Sequence, residues 1–423
     1  MNREVLSRLE GHAGADRVSL EVNRYDLELE TPPFPLAGNP FARLGEAIGD
    51  GVGAVTTAAE QLGARPALIG TLATATLDDI DPACALTPSA RYTAIDNAAR
   101  SLRPDGRVEI EGRERLDAMA PGIAIEGLLF SLQIHLEVPP ERFAATLNAA
   151  HLVAAPIVGA CANSPFLLGR SLWDETRIPL FRAVTTDADS ERQPPRALLG
   201  HGWLTGGPLE LFSKHVERYP PMLPICSDED DPASDTGTPE LPELRLHCGS
   251  IWQWNRPVYD PAGHGHVRLE LRCLPCGPTV ADMTANAAFL VGATLAEAER
   301  RELPDSIPFE SVERNFDAAA RHGLDATLEW PTGTGPESRP LTSVVEELLR
   351  SAAQALAGAG VERSEADAQL AVIERRLSAG LTGAGWQRRR VGELEERVGR
   401  DEAVASMLAE LSGRDPLGPP IAG

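Results

Sequence analysis

Four short stretches of this sequence alternate polar and apolar residues with a period of two. Their polar sets are carboxylates, a glutamine, a histidine and arginines. In "SLQIHLEV", Ser131, Gln133, His135 and Glu137 oppose Leu132, Ile134, Leu136 and Val138. In "VRLELRC", Arg268, Glu270 and Arg272 oppose Val267, Leu269, Leu271 and Cys273. In "RVEIEG", Arg107, Glu109 and Glu111 oppose Val108 and Ile110, and in the opening "EVNRYDLELETPP", Asp26, Glu28 and Glu30 oppose Tyr25, Leu27 and Leu29. Strand side chains alternate between faces, so each stretch reads as a strand with one buried and one open face. Plain solvation explains any one such face. The four together carry more, because carboxylates, Gln and His can ligate divalent cations and arginines grip phosphate. That combination suits a metal–nucleotide site, where cations neutralise a polyphosphate and arginines hold a transferred phosphoryl group or an acid substrate. Glu21 and Glu28 are seven residues apart, an odd spacing that puts them on opposite faces of a regular strand. For both to face one site, the chain must bulge or bend near Asn23 and Arg24.

Other chemistries have weaker support. "CLPC", Cys273 to Cys276, together with Cys226 and Cys248, invites a zinc reading. A single CxxC is a weak signal, and Cys273 falls on the apolar side of its strand. His264 and His266 of "PAGHGH" read as decoration of a hairpin loop. Ser164 lacks the G-x-S-x-G context of a hydrolase nucleophile.

Elements must position these residues. "PFARLGEAIGDGVGAVTTAAEQLG" and "SARYTAIDNAARSLR" read as helices, "RPALIGTLA" as a strand between them, and residues 140–182 as helical apart from a "CANSP" break. A long irregular region follows from about 187 to 242, with the acidic core "CSDEDDPASDTGTPELPEL". "GSIWQWNRPVYD" and "HVRLELRCL" restore strand character, and the chain from Thr279 is mostly helical. Strands clustered among long helices, without β-α alternation, predict an α+β fold: an antiparallel sheet with helices on one face and an open polar face. The expected organisation is a catalytic domain over 1–340 and a helical region over 341–423 packed on it.

The 423 residues suffice for a large core, and 43% hydrophobic with 24% charged residues is ordinary for a soluble globular protein. A net charge of −23 argues against nucleic-acid or anionic-membrane partners, so an anionic substrate needs a locally basic pocket. Lys214 is the single lysine, and arginine suits bidentate grips on carboxylate and phosphate. No signal peptide is read at the start, and no apolar run is expected to span a membrane. Six scattered cysteines do not form a disulfide framework, so the cytosol is the expected location.

Six blocks, in order, carry a family resemblance: "EVNRYDLELETPPFPLAG", "EGLLFSLQIHLEV", "ANSPFLLGRSLWDETR", "WQWNRPVYD", "VRLELRCLPCGPTVAD" and "GLTGAGWQR". With them the chain resembles the carboxylate–amine ligases related to bacterial and plant glutamate–cysteine ligase, which share the catalytic fold of glutamine synthetase. The resemblance implies ATP and Mg²⁺, phosphorylation of a substrate carboxylate such as the γ-carboxylate of glutamate, and displacement of phosphate by an amine such as that of cysteine. It implies metal ligation by Glu21, Glu28, His135 and Glu270, and catalytic phosphate grips by Arg268, Arg272 and Arg177. Gln133, Asn163, Ser164 and Arg170 are implied as substrate or nucleotide contacts. For Arg177 an ordinary pairing with Asp174 or Glu175 is an equal alternative. Small-molecule acid and amine substrates are implied as partners, and a homo-oligomer is compatible with the sequence.

Two departures stand out. Relatives open with a Glu-x-Glu strand ahead of the block that begins here at Glu21. The preceding twenty residues offer only Glu4 and Glu10 in a helix-like context. Leu129 and Phe130 stand where relatives tend to be polar. Two function classes follow: an active ATP-dependent ligase, or an impaired relative that binds nucleotide or amino acid in a regulatory or scaffold role.

Overall fold

The computed structural model describes residues 1–9, 11–12, 14–187, 189, 193–225, 237–300 and 302–421. The chain runs α1 (Asn2–Arg8), β1 (Val18–Leu20), β2 (Leu27–Leu29), α2 (Pro40–Glu60), α3 (Pro82–Ala85), α4 (Ala90–Leu102), β3 (Arg107–Glu111), β4 (Arg115–Met119) and β5 (Ser131–Glu137). It continues through α5 (Phe143–Cys161), β6 (Phe166–Leu167), β7 (Arg170–Ser171), α6 (Arg177–Thr185), α7 (Pro208–Arg218), α8 (Pro242–Gly249), β8 (Asn255–Asp260) and β9 (His266–Pro275). Then come α9 (Val280–Glu297), α10 (Leu303–Ser306), α11 (Phe309–His322), β10 (Thr327–Thr332), β11 (Gly335–Pro340), α12 (Leu341–Gly358), α13 (Arg363–Ala379), α14 (Gly383–Val398) and α15 (Arg400–Gly413).

The fold is α+β, as the pattern of strands and helices predicts. Its central sheet is antiparallel in the order β5-β9-β8. Leu269 and Leu271 of β9 are fully buried on the face that packs against α5. Helix α5 is apolar nearly all round ("FAATLNAAHLVAAPIVGAC"), which is the pattern of a helix buried on every side. Around it stand α9, α11 and α12, and α13 closes on α9 and α12. Val345, Leu348 and Ile373 therefore share one core with Leu147 and Leu269, so the helices after 341 pack on the same body as the sheet. A second cluster, around Trp386, Met407, Ile69 and Phe166, seats α14 and α15.

Several expectations are corrected. The four alternating stretches do not share a sheet: β1 pairs β2, β3 pairs β4, and only β5 and β9 join the central sheet, with β8. Alternation reports a half-buried strand but not its partner. Arg107, Glu109 and Glu111 lie on the exposed side of the β3–β4 hairpin. Arg107 pairs with Asp117 at 2.8 Å and Arg115 with Glu111 at 3.2 Å, so this face is a solvated ion-pair lattice. "RPALIGTLA" forms no strand. It runs as irregular chain beside the entry to β5, tied by Leu72 N to Leu128 O at 3.0 Å and by Phe130 N to Gly70 O at 2.8 Å. Within 187–242 the amphipathic α7 forms, while 226–236, with Cys226 and most of the acidic core, lies outside the described residues. The β10–β11 hairpin interrupts the region expected to be helical. Glu4 lies in α1, as its helix-like context suggests, and Glu10 is outside the described residues. Among the described residues one helix, Pro140–Cys161, is long and apolar enough to cross a membrane, contrary to expectation. It is the mostly buried core helix, so its composition follows from burial in protein.

Candidate functional site

The open face of the central sheet is built around β9. Glu270 lies directly opposite His135 of β5 and Arg256 of β8, and opposed residues of an antiparallel pair share a face. Glu270 is 1% exposed and both its oxygens are taken: Oε2 accepts from Arg256 Nε and Oε1 from Arg272 Nη1. Burial opposes its ionisation, but Arg272 and Arg256 outweigh that and hold the carboxyl down to about 2. His135 accepts at Nδ1 from Arg268 Nε at 2.9 Å. Desolvation on the crowded face keeps its pKa below the ordinary value, so at neutral pH the ring is uncharged and carries its proton on Nε2. Arg268 also pairs with Asp260.

The β5–β9 register shifts between Leu132 and Ile134, which face Leu274 and Leu271 respectively. Two β9 residues, Arg272 and Cys273, are therefore set against Gln133. A bulge of this kind re-aims the side chain it carries. Arg272 leans towards a second group, formed by acids, and its buried Nε meets no acceptor among the described residues.

Those acids come from the β1–β2 hairpin and the turn ahead of β5. The strands β1 and β2 pair antiparallel with Ser19 opposite Glu28. The chain bends through residues 22–25, which resolves the odd spacing of Glu21 and Glu28 as anticipated near Asn23 and Arg24. Asn23 is buried, and its amide donates to Ala124 O at 2.8 Å. It packs so closely on Gly127 that a Cβ there would collide with the Asn23 side chain. This contact brings Glu21 beside Glu126 and Asp26. Burial, and then the charge of Glu21, push the carboxyls of Asp26 and Glu126 each up to about 8. Glu28 rises to about 7 by burial, then by Glu21, Glu30 and Glu270, against the pull of Arg272. Gly127→Ala is expected to cost about 1–3 kcal/mol of stability by overpacking, read as a lower urea midpoint.

The structure brings Glu21, Glu28, His135, Arg268, Glu270 and Arg272 into one neighbourhood, with Gln133 set against the β9 bulge, and it places the expected metal ligands His135 and Glu270 among arginines. Glu270 is saturated by arginines and His135 is engaged at Nδ1 by Arg268, so both belong to the arginine side of the site. Asn163 and Ser164, expected as substrate or nucleotide contacts, and Arg177, expected as a catalytic phosphate grip, lie buried below the sheet at 1%, 0% and 2% exposure. Arg177 pairs with Glu175 at 2.9 Å, the ordinary alternative for this residue. Arg170 is exposed on β7. Two residues of the neighbourhood were missed, Glu126 and Arg256, and the sequence pattern places Asp26 on a polar strand face without a role of its own. Glu126 opens the block "EGLLFSLQIHLEV" and Arg256 sits within "WQWNRPVYD", so position in a matched block was the available signal. The zinc reading gains nothing: burial pushes the Cys248 and Cys276 thiols up to about 11 and that of Cys273 up to about 12.

The acid group suits a hard divalent cation by donor type. Carboxylate oxygens are the ligands of Mg²⁺, and the buried Asp26 Oδ1 has no hydrogen-bond donor among the described residues. Among the described residues no group of three or more His, Cys, Asp or Glu side chains is placed to hold a metal ion by itself. Mg²⁺ commonly takes one or two protein carboxylates and completes its shell with water and phosphate.

Comparison with known proteins adds the family. The similar solved structures include the Pup ligase PafA of the prokaryotic ubiquitin-like modification pathway in complex with ADP. It shares 11% identity with this chain at a TM-score of 0.30, over 67% of this chain and 52% of its own. The chain therefore spans about half the length of that protein. No curated protein matches the sequence. The family pattern of glutamate-cysteine ligase family 2 matches residues 2–406, which takes in the acid hairpin, the central sheet and the helices that seat it. With nearly the whole chain matched, this protein belongs to glutamate-cysteine ligase family 2.

Proposed function

We propose that this chain is an ATP-dependent carboxylate–amine ligase, most like glutamate–cysteine ligase, that forms a γ-glutamyl or similar amide through an acyl phosphate. One observation carries the reading. A row of arginines, Arg256, Arg268 and Arg272, adjoins a group of mutually repelling carboxylates, Glu21, Asp26, Glu28 and Glu126, and Arg272 feels both sides. The arginines are donors suited to phosphate oxygens, and Arg272 Nε is a buried N–H in need of an acceptor. Glu21 and Glu28, with Asp26 and Glu126 beside them, would hold Mg²⁺, which when bound neutralises phosphate charge. Neutral His135 offers an Nε2–H to an oxygen on the open face.

In this reading the substrate carboxylate takes the γ-phosphoryl group of ATP and releases ADP. The amine nitrogen then forms the C–N bond, phosphate leaves with the C–O electron pair, and the amine loses a proton to solvent. The arginine row stabilises charge on the transferring group without rearranging, because Glu270 already fixes Arg256 and Arg272. The net charge of −23 favours small-molecule substrates over nucleic acid, and we place the reaction in the cytosol.

The test is a panel of glutamate and other acids against cysteine and other amines, with Mg²⁺ and ATP, followed by phosphate release. Release that requires both an acid and an amine is expected; none with any pair would sink the ligase reading. The second reading is an impaired family member. The absence of a three-donor cluster among the described residues and the engagement of Glu270 and His135 by arginines favour it. It predicts ADP binding by calorimetry without turnover on any pair.

A further inference from the structure

Arg177 lies below the sheet, where it can touch no substrate, yet its contacts flank the backbone of Arg272. It is 2% exposed at the start of α6. Its Nε donates to Glu175 Oε1 at 2.9 Å and its Nη2 donates to the carbonyl of Cys273 at 2.7 Å. Its guanidinium also lies 5.9 Å from the Trp254 ring centre. Cys273 is the second residue of the bulged pair, and Arg272, the first, donates its backbone N–H to Trp254 O at 2.8 Å. Arg177 therefore touches the backbone immediately after Arg272 and the residue that anchors the Arg272 amide.

A bulged pair is less fixed by its ladder than regular strand, so its conformation depends on bonds from outside. The bond from Nη1 to Glu270 Oε1 holds only the far end of the Arg272 side chain, and Nε has no acceptor among the described residues, so the stem takes its direction from the backbone. The support below is rigid. Glu175 is fully buried and accepts from the Ser164 hydroxyl and from Asn163 N at 3.3 Å. Asn163 donates to Cys276 O at 2.8 Å, and Gln387 of α14 donates to Asn163 Oδ1 at 2.8 Å. The "ANSP" loop thus grips the end of β9 at a second carbonyl.

We propose that Arg177 is a positioning residue that sets the aim of Arg272 through the β9 bulge. The inference rests on the ligase reading for its kinetic consequence but not for its structural one. Arg177→Lys keeps a positive charge beside Glu175, yet a single ammonium cannot reproduce the two-ended grip of a guanidinium. In a crystal structure of Arg177→Lys, the Arg272 guanidinium is expected to leave Glu270 Oε1. In phosphate release from Mg-ATP with glutamate and cysteine, kcat should fall at least about 10-fold, and in an Arg272→Met background Arg177→Lys should cost no further activity. Its loss of thermal stability should persist in both backgrounds. If Arg177→Lys does not fold, Glu175→Gln/Arg177→Met, which buries no charge, carries the same crystallographic comparison. An unmoved Arg272, or rate losses that multiply between positions 177 and 272, overturns the proposal. A wild-type protein inactive on every pair removes the ligase reading, and the crystal comparison still decides the role of Arg177.

Discussion

Arg272→Met is expected to lower the rate of acid- and amine-dependent phosphate release by about 100- to 1000-fold, the range for removing one preorganised charged donor from a developing oxyanion. Methionine keeps the apolar stem. Glu270 stays compensated by Arg256, so the loss should come from chemistry rather than from unfolding. Arg272 is the arginine with Glu270 on one side and Glu28 and Glu126 on the other, so its removal separates the two halves of the site electrostatically. Arg268 is more open and already engaged by Asp260 and His135, so Arg268→Met should cost less. Steady-state kinetics of the two variants decide the matter. A variant at position 272 that stays within threefold of wild type would move the chemistry elsewhere on the chain.

The second large effect is on stability, and it depends on pH and cation together. Asp26, Glu28 and Glu126 have native pKa values raised to about 8, 7 and 8 by burial and by Glu21. In the unfolded chain they ionise near their ordinary values of about 4. Between those limits the native state binds more protons, so stability is greatest below the unfolded values and is lost as pH rises through the native ones. Two buried histidines, His151 and His215, and the half-buried His201 act in the opposite sense. Burial drops His151 and His201 to about 3 and His215 to about 4, so acid favours the unfolded chain from about pH 6.5 downward. The two trends offset each other below about pH 6.5, and only the carboxylates remain above it. The melting temperature should therefore fall between about pH 6.5 and 8.5, and Mg²⁺ should restore more of it at the higher pH, by mass action on the ionised site. Differential scanning fluorimetry with and without Mg²⁺ is the measurement. A melting temperature that is flat over this range, or Mg²⁺ shifts equal at both ends, rules out the carboxylate group as a cation site. Glu28→Gln should remove most of the Mg²⁺ dependence while raising stability at high pH in the absence of the cation.

Local pattern revealed a good part of this protein. A period of two marked the faces of β5 and β9, and the residues it put on the open side, His135, Arg268, Glu270 and Arg272, are on that side. Helical pattern located α2 and α4, and the mostly helical character of the chain beyond Thr279. The odd spacing of Glu21 and Glu28 already demanded the bend that Asn23 supplies. These features are legible because alternation, helical period and turn spacing are properties of consecutive residues.

What pattern could not resolve are matters of partnership. Arg107 and Arg268 look alike in their strands, but one meets Asp117 across an exposed hairpin and the other meets His135 across the central sheet. Glu126 shows no periodicity, and it joins the acid group only because Asn23 and Gly127 press two distant segments together. Arg177 carries the same charge as Arg272, yet burial against Glu175 and Cys273 makes one a strut while the other reaches the open face. Residue types and spacing were sufficient to place β5 and β9 and the polar side chains they present. Which acids stand together, which arginines they pair with and which side chains water can reach depend on contacts between residues far apart in the chain, and only the folded protein decides those.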